Sequence, residues 1–426
     1  MAAYESYKDS GVKWLGKIPS HWEVKKLRAF FSEVCESNFA LKVHNQLQFK
    51  YGTIVPKPDT GVDDAVLKTI SKYTVVNRGD IIINGLNLNY DFISFRVGKV
   101  NEQGVITSAY IAMRPNKGLS SKFYEYLLKA MDAKKVFHGF GTGIRATLSF
   151  KELKHKFLPL VPLNEQEAIV AYLDKVTGDI DRAIEAQQKM IDALSERKQI
   201  IITRAVIRGL NPGVSLRDSG IDWLGQIPKH WKVSQLRRIA AVKTGKTPPS
   251  STPEYYENRD IIWYTPGDFP ISSIYLGDSE RKLDNRASKL ITIYPANTVL
   301  LVGIGGTLGK VGFTEKSCFS NQQINAIIPA LSFNGKFLAY YLTAIKDAIR
   351  NSANSATLPI LNQNATKRLP IVVAPLNEQN CIVEAIEKGI APLTDSIKHC
   401  ERMISLLQER KQIIINEVVT GKKKVI

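Results

Sequence analysis

The chain has 426 residues, too many for one ordinary domain, and 44% of them are apolar, so sizeable cores can be buried. The formal net charge of +18 points to a polyanionic partner, most often nucleic acid, and no apolar run is long enough to cross a membrane. The cysteines, Cys35, Cys318, Cys381 and Cys400, lie outside any C-x-x-C or zinc spacing, which leaves them as incidental thiols, and the start lacks a basic-then-apolar leader, so a cytoplasmic location is expected.

The first predicted element, within 1–28, is a compact clip. "DSGVKWLGKIPSHWEVKKLR" (Asp9–Arg28) returns as "DSGIDWLGQIPKHWKVSQLR" (Asp218–Arg237). Trp14 and Trp223, Pro19 and Pro228, His21 and His230, and Trp22 and Trp231 recur in register, which chance does not produce. Asp-Ser-Gly favours a turn, Ile-Pro an extended segment, and the tryptophans can cap an apolar seam. The expected role is to fasten the following block to a helix. A catalytic-base role for the two histidines finds no recurring Ser, Cys or acid partner.

A strand-rich block follows over 29–161. "RGDIIING" (Arg78–Gly85) and "GVITSAYIAMRP" (Gly104–Pro115) read as strands, "SKFYEYLLKAM" (Ser121–Met131) as an amphipathic helix, and "GFGTGIRATL" (Gly139–Leu148) as a polar loop. The next segment, 162–210, opens with "PLNEQEAIV" and carries a seam of threes and fours from Ile169 through Leu173, Ile180, Ile191 and Lys198 to Ala205. Asn164 is the expected N-cap, with Glu165 in the first turn, and "RGLNPG" the expected stop. About 45 residues at 1.5 Å each make a rod of roughly 65–70 Å.

The same order then repeats: a second clip (211–237), a second block (238–374) and a second long helix (375–426). In the second block "NTVLLVGIGGTLGKVGF" (Asn297–Phe313) reads as a buried strand run followed by turns, "CFSNQQINAIIP" (Cys318–Pro329) as a further strand ending in proline, "GKFLAYYLTAI" (Gly335–Ile345) as a helix, and "NSANSATLPIL" (Asn351–Leu361) as a loop. "PLNEQNCIV" at Pro375 and "ERKQIII" at Glu409 repeat the first helix, and Asn377 is again the expected N-cap. The blocks share a skeleton but not their loops, as expected of two modules that bind different targets. Segments 29–150 and 238–360 carry about +5 and +4 by count.

No active site emerges. A phosphate loop ending at Lys310 would need glycine at Ile304 and Ser or Thr at Val311. There is no H-E-x-x-H, no Asp/Asn-Pro-Pro-aromatic methyltransferase tetrapeptide and no metal constellation, so neither catalytic nor metal-ligating residues are assigned.

The opener, the doubled "PLNEQ" helix entry and the two unlike blocks together resemble the specificity subunit of a type I restriction-modification system, over nearly the whole chain. Gly245–Pro329 and Gly79–Arg145 each resemble a target recognition domain pattern. Val161 and Ala374 replace a usual proline before "PLNEQ", and Gly389 interrupts the second seam. The resemblance implies an α+β fold: two target recognition domains, strand-rich with a helix, separated by two long antiparallel coiled-coil helices in a pseudo-twofold internal repeat. It implies a non-catalytic subunit that binds a bipartite double-stranded DNA site. It also implies docking to two modification (methyltransferase) subunits and to restriction (translocase/nuclease) subunits, with S-adenosylmethionine, ATP and Mg2+ on those partners and no cofactor here. The alternative is a coiled-coil scaffold with two binding modules and no DNA.

Loop donors are the expected DNA contacts: Lys50, Tyr51, Asn87, Asn89, Arg96, Thr107, Ser108 and Arg145 in the first block, and Lys246, Thr247, Thr307, Lys310, Asn321, Gln322 and Gln323 in the second. Arg and Lys can read guanine, Asn and Gln adenine.

Overall fold

The computed structural model describes residues 3–50, 52–58, 63–91, 94–141, 146–256, 260–270, 272–279, 281–353 and 359–425. The chain divides into two units, the first made of Met1–Ala186 with Met403–Ile426 and the second of Gln187–Arg402. Both mix strands with helices.

In the first unit a four-stranded antiparallel sheet runs in the order Phe31–Glu33, Ile111–Pro115, Ile81–Ile83, Val97–Lys99. The run Ile81-Ile82-Ile83 is apolar at every position because both sheet faces are covered. Ile81 and Ile83 pack with Phe123, Leu127 and Met131 of the helix Ser121–Ala133, whereas Ile82 packs on the other face with Leu47, Ile54 and Val76. The hairpin Leu47–Lys50/Thr53–Pro56 lies over that second face.

In the second unit the sheet order is Ala240–Thr244, Ile324–Pro329, Thr298–Val302, Val311–Thr314, again antiparallel throughout. The same division of labour explains "TVLLV". Val299 and Leu301 face the helix Gly335–Ala344, and Leu300 and Val302 face a second cluster with Tyr264 and Phe269. Two stretches, one in each block, that read as single strands ending in proline are broken by a turn. Gly104–Ile106 is separated from Ile111–Pro115, and Cys318–Ser320 from Ile324–Pro329, and the first member of each pair joins a different small sheet.

The long helices run Leu163–Arg208 and Leu376–Val419. Gly209, at φ +73°, ends the first, as its position after the last apolar turn predicts. The N-cap expectation shifts by two residues. Gln166 N–H donates to the Pro162 carbonyl and Gln379 N–H to the Pro375 carbonyl, both at 2.9 Å, so the prolines accept the first helical bond and Asn164 and Asn377 lie inside the first turn. The seam residues Ile169, Leu173, Ile180, Ile382, Ile386, Ile397 and Cys400 are buried. Pro392 lies inside the second helix, which continues through it without the N–H that would bond back four residues.

Each unit closes a seam position differently. In the first, Lys411 donates to both carboxylate oxygens of Asp181 at 2.7 Å. In the second, the equivalent Lys198 is buried and donates to the Ser272 carbonyl and, at 3.0 Å, to Thr394 Oγ1, with burial holding its pKa below the ordinary lysine value. No described helix is long and apolar enough to cross a membrane.

Candidate nucleic-acid interface

The repeated motifs build a clamp. Trp22 is fully buried, its indole N–H donates to Glu165 Oε2 at 2.9 Å, and His21 Nε2 meets Glu165 Oε1. In the second unit Trp231 donates to Glu378 Oε2 at 2.8 Å and His230 Nε2 lies 2.9 Å from Glu378 Oε1. The next residue of "NEQ" grips the block. Gln166 Oε1 accepts from Ser120 N–H at 2.9 Å and Gln379 Oε1 from Asn334 N–H at 2.8 Å, each at the N-cap of the block helix. The other amide group of each glutamine donates to Val161 or Ala374 at 2.8 Å. The expectation that no acid recurs with the histidines is therefore corrected: Glu165 and Glu378 do, but each carboxylate also holds a buried indole N–H, so the histidines orient a helix entry. Of the other tryptophan pair, Trp14 is half-buried and Trp223 is 45% exposed, so only one tryptophan of each clip is a fully buried anchor.

The clamp leaves one edge of each sheet for loops. In the second unit Val302 pairs with Ile324 and Leu301 with Val311, so the turn 303–310 and the turn 321–323 emerge side by side. Gly303 N–H donates to the Gln323 carbonyl at 2.8 Å. Lys246 N–H donates to Ser320, Thr247 Oγ1 to Gln322 Oε1 at 2.6 Å, and Asn321 Nδ2 to Gln323 Oε1 at 3.1 Å. A Cβ at Gly245 would fall on the Asn321 carbonyl, so only glycine lets these two segments close up. Lys246, Thr247 and Gln322 are exposed, Thr307, Lys310 and Gln323 half-buried, and Asn321 buried. The structure thus gathers all seven expected residues onto one edge, with a correction for Asn321, whose buried amide accepts from Gln323 N–H and donates to Gln323 Oε1, shaping the turn instead of being offered outward. It adds Pro359–Leu361, where Gly305 N–H meets the Pro359 carbonyl and Leu361 N–H the Gly303 carbonyl, and from which no contact was expected. Burial and the neighbouring Arg350 and Lys310 depress the Lys346 pKa, the mark of a basic cluster beside this turn.

The first unit presents the corresponding edge. Ile83 pairs with both Ile111 and Val97, which places the loop after Ile83 beside the turn 107–110. Asn87 is exposed in the left-handed region at φ +54°, a conformation asparagine tolerates, and Asn89 and Ser108 are exposed while Thr107 is half-buried. Lys50 is exposed at the tip of the hairpin whose Gly52 sits on Phe95. Gly85 lies so close to the Leu148 carbonyl that no side chain fits. Tyr51 and Arg145 lie outside the described residues.

Arg96 requires correction. It is wholly buried, its Nη1 donates to the Asn84 and Leu86 carbonyls at 3.1 and 2.8 Å, and its Nη2 donates to the Asp91 carbonyl at 2.7 Å. A guanidinium so engaged holds the loop and is not offered to a groove. Tyr90 and Phe95 are 74% and 55% exposed near this loop. Neither was among the expected contacts, although both stand beside the expected donors Asn87 and Asn89 in "NLNYDFISFR".

The family model for the type I restriction modification DNA specificity domain matches residues 19–191 and 228–404, once per block and helix. The type I restriction enzyme MjaVIII specificity subunit of Methanocaldococcus jannaschii is 24% identical over 98% of this chain and 97% of its own length. The MjaIX specificity subunit of the same organism is 30% identical over 38% of each chain. A solved structure described as the structural basis of complex assembly and conformational transition of the type I R-M system superposes with a TM-score of 0.63 at 16% identity, covering 94% of this chain and 98% of that one, a likeness of fold. The chain belongs to the type I restriction modification DNA specificity family.

Proposed function

We propose that this specificity subunit reads a bipartite double-stranded DNA sequence, one half with each loop edge. The two sheets have the same strand order and place their loops at the same edge, yet build those edges from different residues. That one observation carries the reading, because a common frame with unlike loops is what two independent half-site readers require. The charge of +18 favours a phosphate-rich partner, and the family's name favours DNA over the non-DNA scaffold.

In this reading the long helices form an antiparallel coiled-coil pair, related by a pseudo-twofold axis, that spaces the readers and docks two modification subunits. Restriction subunits join that complex. The chain supplies no catalytic group, and S-adenosylmethionine, ATP and Mg2+ belong to the partners, in the cytoplasm. Support for the pairing comes from within each unit: Asp181 meets Lys411, and Lys198 meets Thr394, at equivalent seam positions. The test is the methylation pattern of cells carrying this chain with its modification subunits. The expected result is adenine methylation at a split motif with an undefined spacer, absent when the chain is deleted. Methylation at a continuous motif, or unchanged without the chain, would overturn the proposal.

A further inference from the structure

Both reading loops rest on an arginine. In the first unit Arg96 takes up three carbonyls of the 84–91 segment, as above, and its own N–H donates to Asp132 Oδ2 at 2.7 Å. His138, in the turn after the block helix, meets the Asp91 carbonyl at 3.1 Å. In the second unit Arg350, on the short helix Lys346–Asn351 that follows the block helix, donates from Nε to the Leu308 carbonyl at 3.0 Å and from Nη2 to the Gly306 carbonyl at 3.2 Å. Gly309, at φ +81°, lets the turn close onto Lys346 and Arg350. The two arginines hold different places in the repeat, one at the far end of the loop itself and one on a helix, so the repeat does not reveal them. A guanidinium carries five donors in a rigid plane and keeps its charge at every physiological pH, so one side chain can satisfy several carbonyls of an irregular turn. Without it the Asn84 and Leu86 carbonyls in one loop, or the Leu308 and Gly306 carbonyls in the other, lose their side-chain donor and the turn loses its single geometry.

We infer that Arg96 and Arg350 are positioning residues of the two half-site readers, each fixing the loop that presents the base-reading side chains and so setting the stringency of one half-site without touching DNA. The presented residues are Asn87 in the first unit and Thr307 and Lys310 in the second. This inference rests on the bipartite reading above and deepens it.

Arg350 gives the cleaner test, because it is exposed and its removal leaves no buried cavity. Arg350→Met and Arg350→Lys are introduced into the full chain, assembled with its modification subunits. Two quantities are read: the methylated motif across a genome, and the salt dependence of binding to motif and unrelated DNA. Arg350→Met is expected to lower discrimination at bases of one half-site by about tenfold while the other half stays as it was. Arg350→Lys loosens the same half, since an ammonium cannot span two carbonyls as a fork does. The salt slope stays at the wild-type value, because no phosphate contact is lost. Arg96→Lys loosens the opposite half. An unchanged motif in Arg350→Met, equal loosening of both halves, or a salt slope smaller by about one would overturn the inference, the last by making Arg350 a phosphate contact. If the wild-type assembly itself shows no split motif, the bipartite reading fails, a result distinct from any variant's.

Discussion

The helix-entry clamp and the loop edge differ in how they repeat. The clamp is the same in both units down to the atoms: tryptophan and histidine on one glutamate, an N-cap amide on one glutamine. The loop edges share a strand order and little else. Arg96 and His138 hold one loop, Arg350 the other, and the side chains presented differ in kind. Within one chain, then, repetition marks the parts that set the frame, and divergence marks the parts free to read something new.

The largest expected effect is on the frame. Trp22→Ala and Trp231→Ala should each destabilise the chain by about 3–5 kcal/mol in denaturant titrations. Trp223→Ala, at a 45% exposed side chain, should cost about 0.5 kcal/mol or less. Comparable losses at Trp223 and Trp231 would show that the clip is not anchored by one tryptophan alone.

Next come the clamp carboxylates. Glu165→Ala leaves the Trp22 indole N–H buried without an acceptor and should cost about 2 kcal/mol. Glu378→Ala should cost less. The Glu378 side chain is 39% exposed against 15% for Glu165, and Glu165 also accepts from the Tyr4 hydroxyl at 3.3 Å. Equal losses would break the ranking.

On the loop edges the pattern reverses. Asn87→Ala and Gln322→Ala should leave unfolding midpoints in place while changing base discrimination by about 1–3 kcal/mol, each in its own half-site, read by competition binding with singly substituted sites. A large fall in stability with an intact motif would assign these residues to the frame.

The smallest effects separate the two seam lysines. Lys411→Met removes a pair with an exposed Asp181 and should cost about 0–1 kcal/mol, less at high salt. Among the described residues Lys198 has no acid in hydrogen-bond contact, and burial depresses its pKa. The unfolded chain therefore holds that proton more tightly, so this group adds stability as pH rises from its folded pKa toward the ordinary 10.5. Comparing wild type with Lys198→Met from pH 8 to 10.5, the wild type should gain on the variant. A constant difference would mean Lys198 keeps its proton as readily folded as unfolded.

The frame was legible because its signals are local or repeated. Apolar spacing marked both long helices, the glycine after Arg208 marked one end, and repetition singled out "HW" and "NEQ", although that they bond each other was not read from the sequence. The errors have physical causes. Asn164 and Asn377 carry good capping side chains, but the preceding prolines already accept the first helical bond. Thr107 and Asn321 fall in turns because the segments before and after them join different sheets, a long-range choice that local propensity does not contain. Arg96 read as an exposed loop donor because sequence shows charge and not the backbone carbonyls that gather around it. Arg350 drew no reading at all, because it falls between the predicted helix and the predicted loop, and only the fold carries it to the turn 303–310.

The most direct test of the two-reader account is a loop exchange confined to one edge. Residues 244–247, 303–310 and 321–323 are replaced together by those of a relative with a different motif, leaving both clamps and both long helices untouched, and the methylated sequence is read genome-wide. The account predicts that one half of the split motif changes while the other half and the spacer remain. A motif unchanged in both halves, or altered in both, would contradict it.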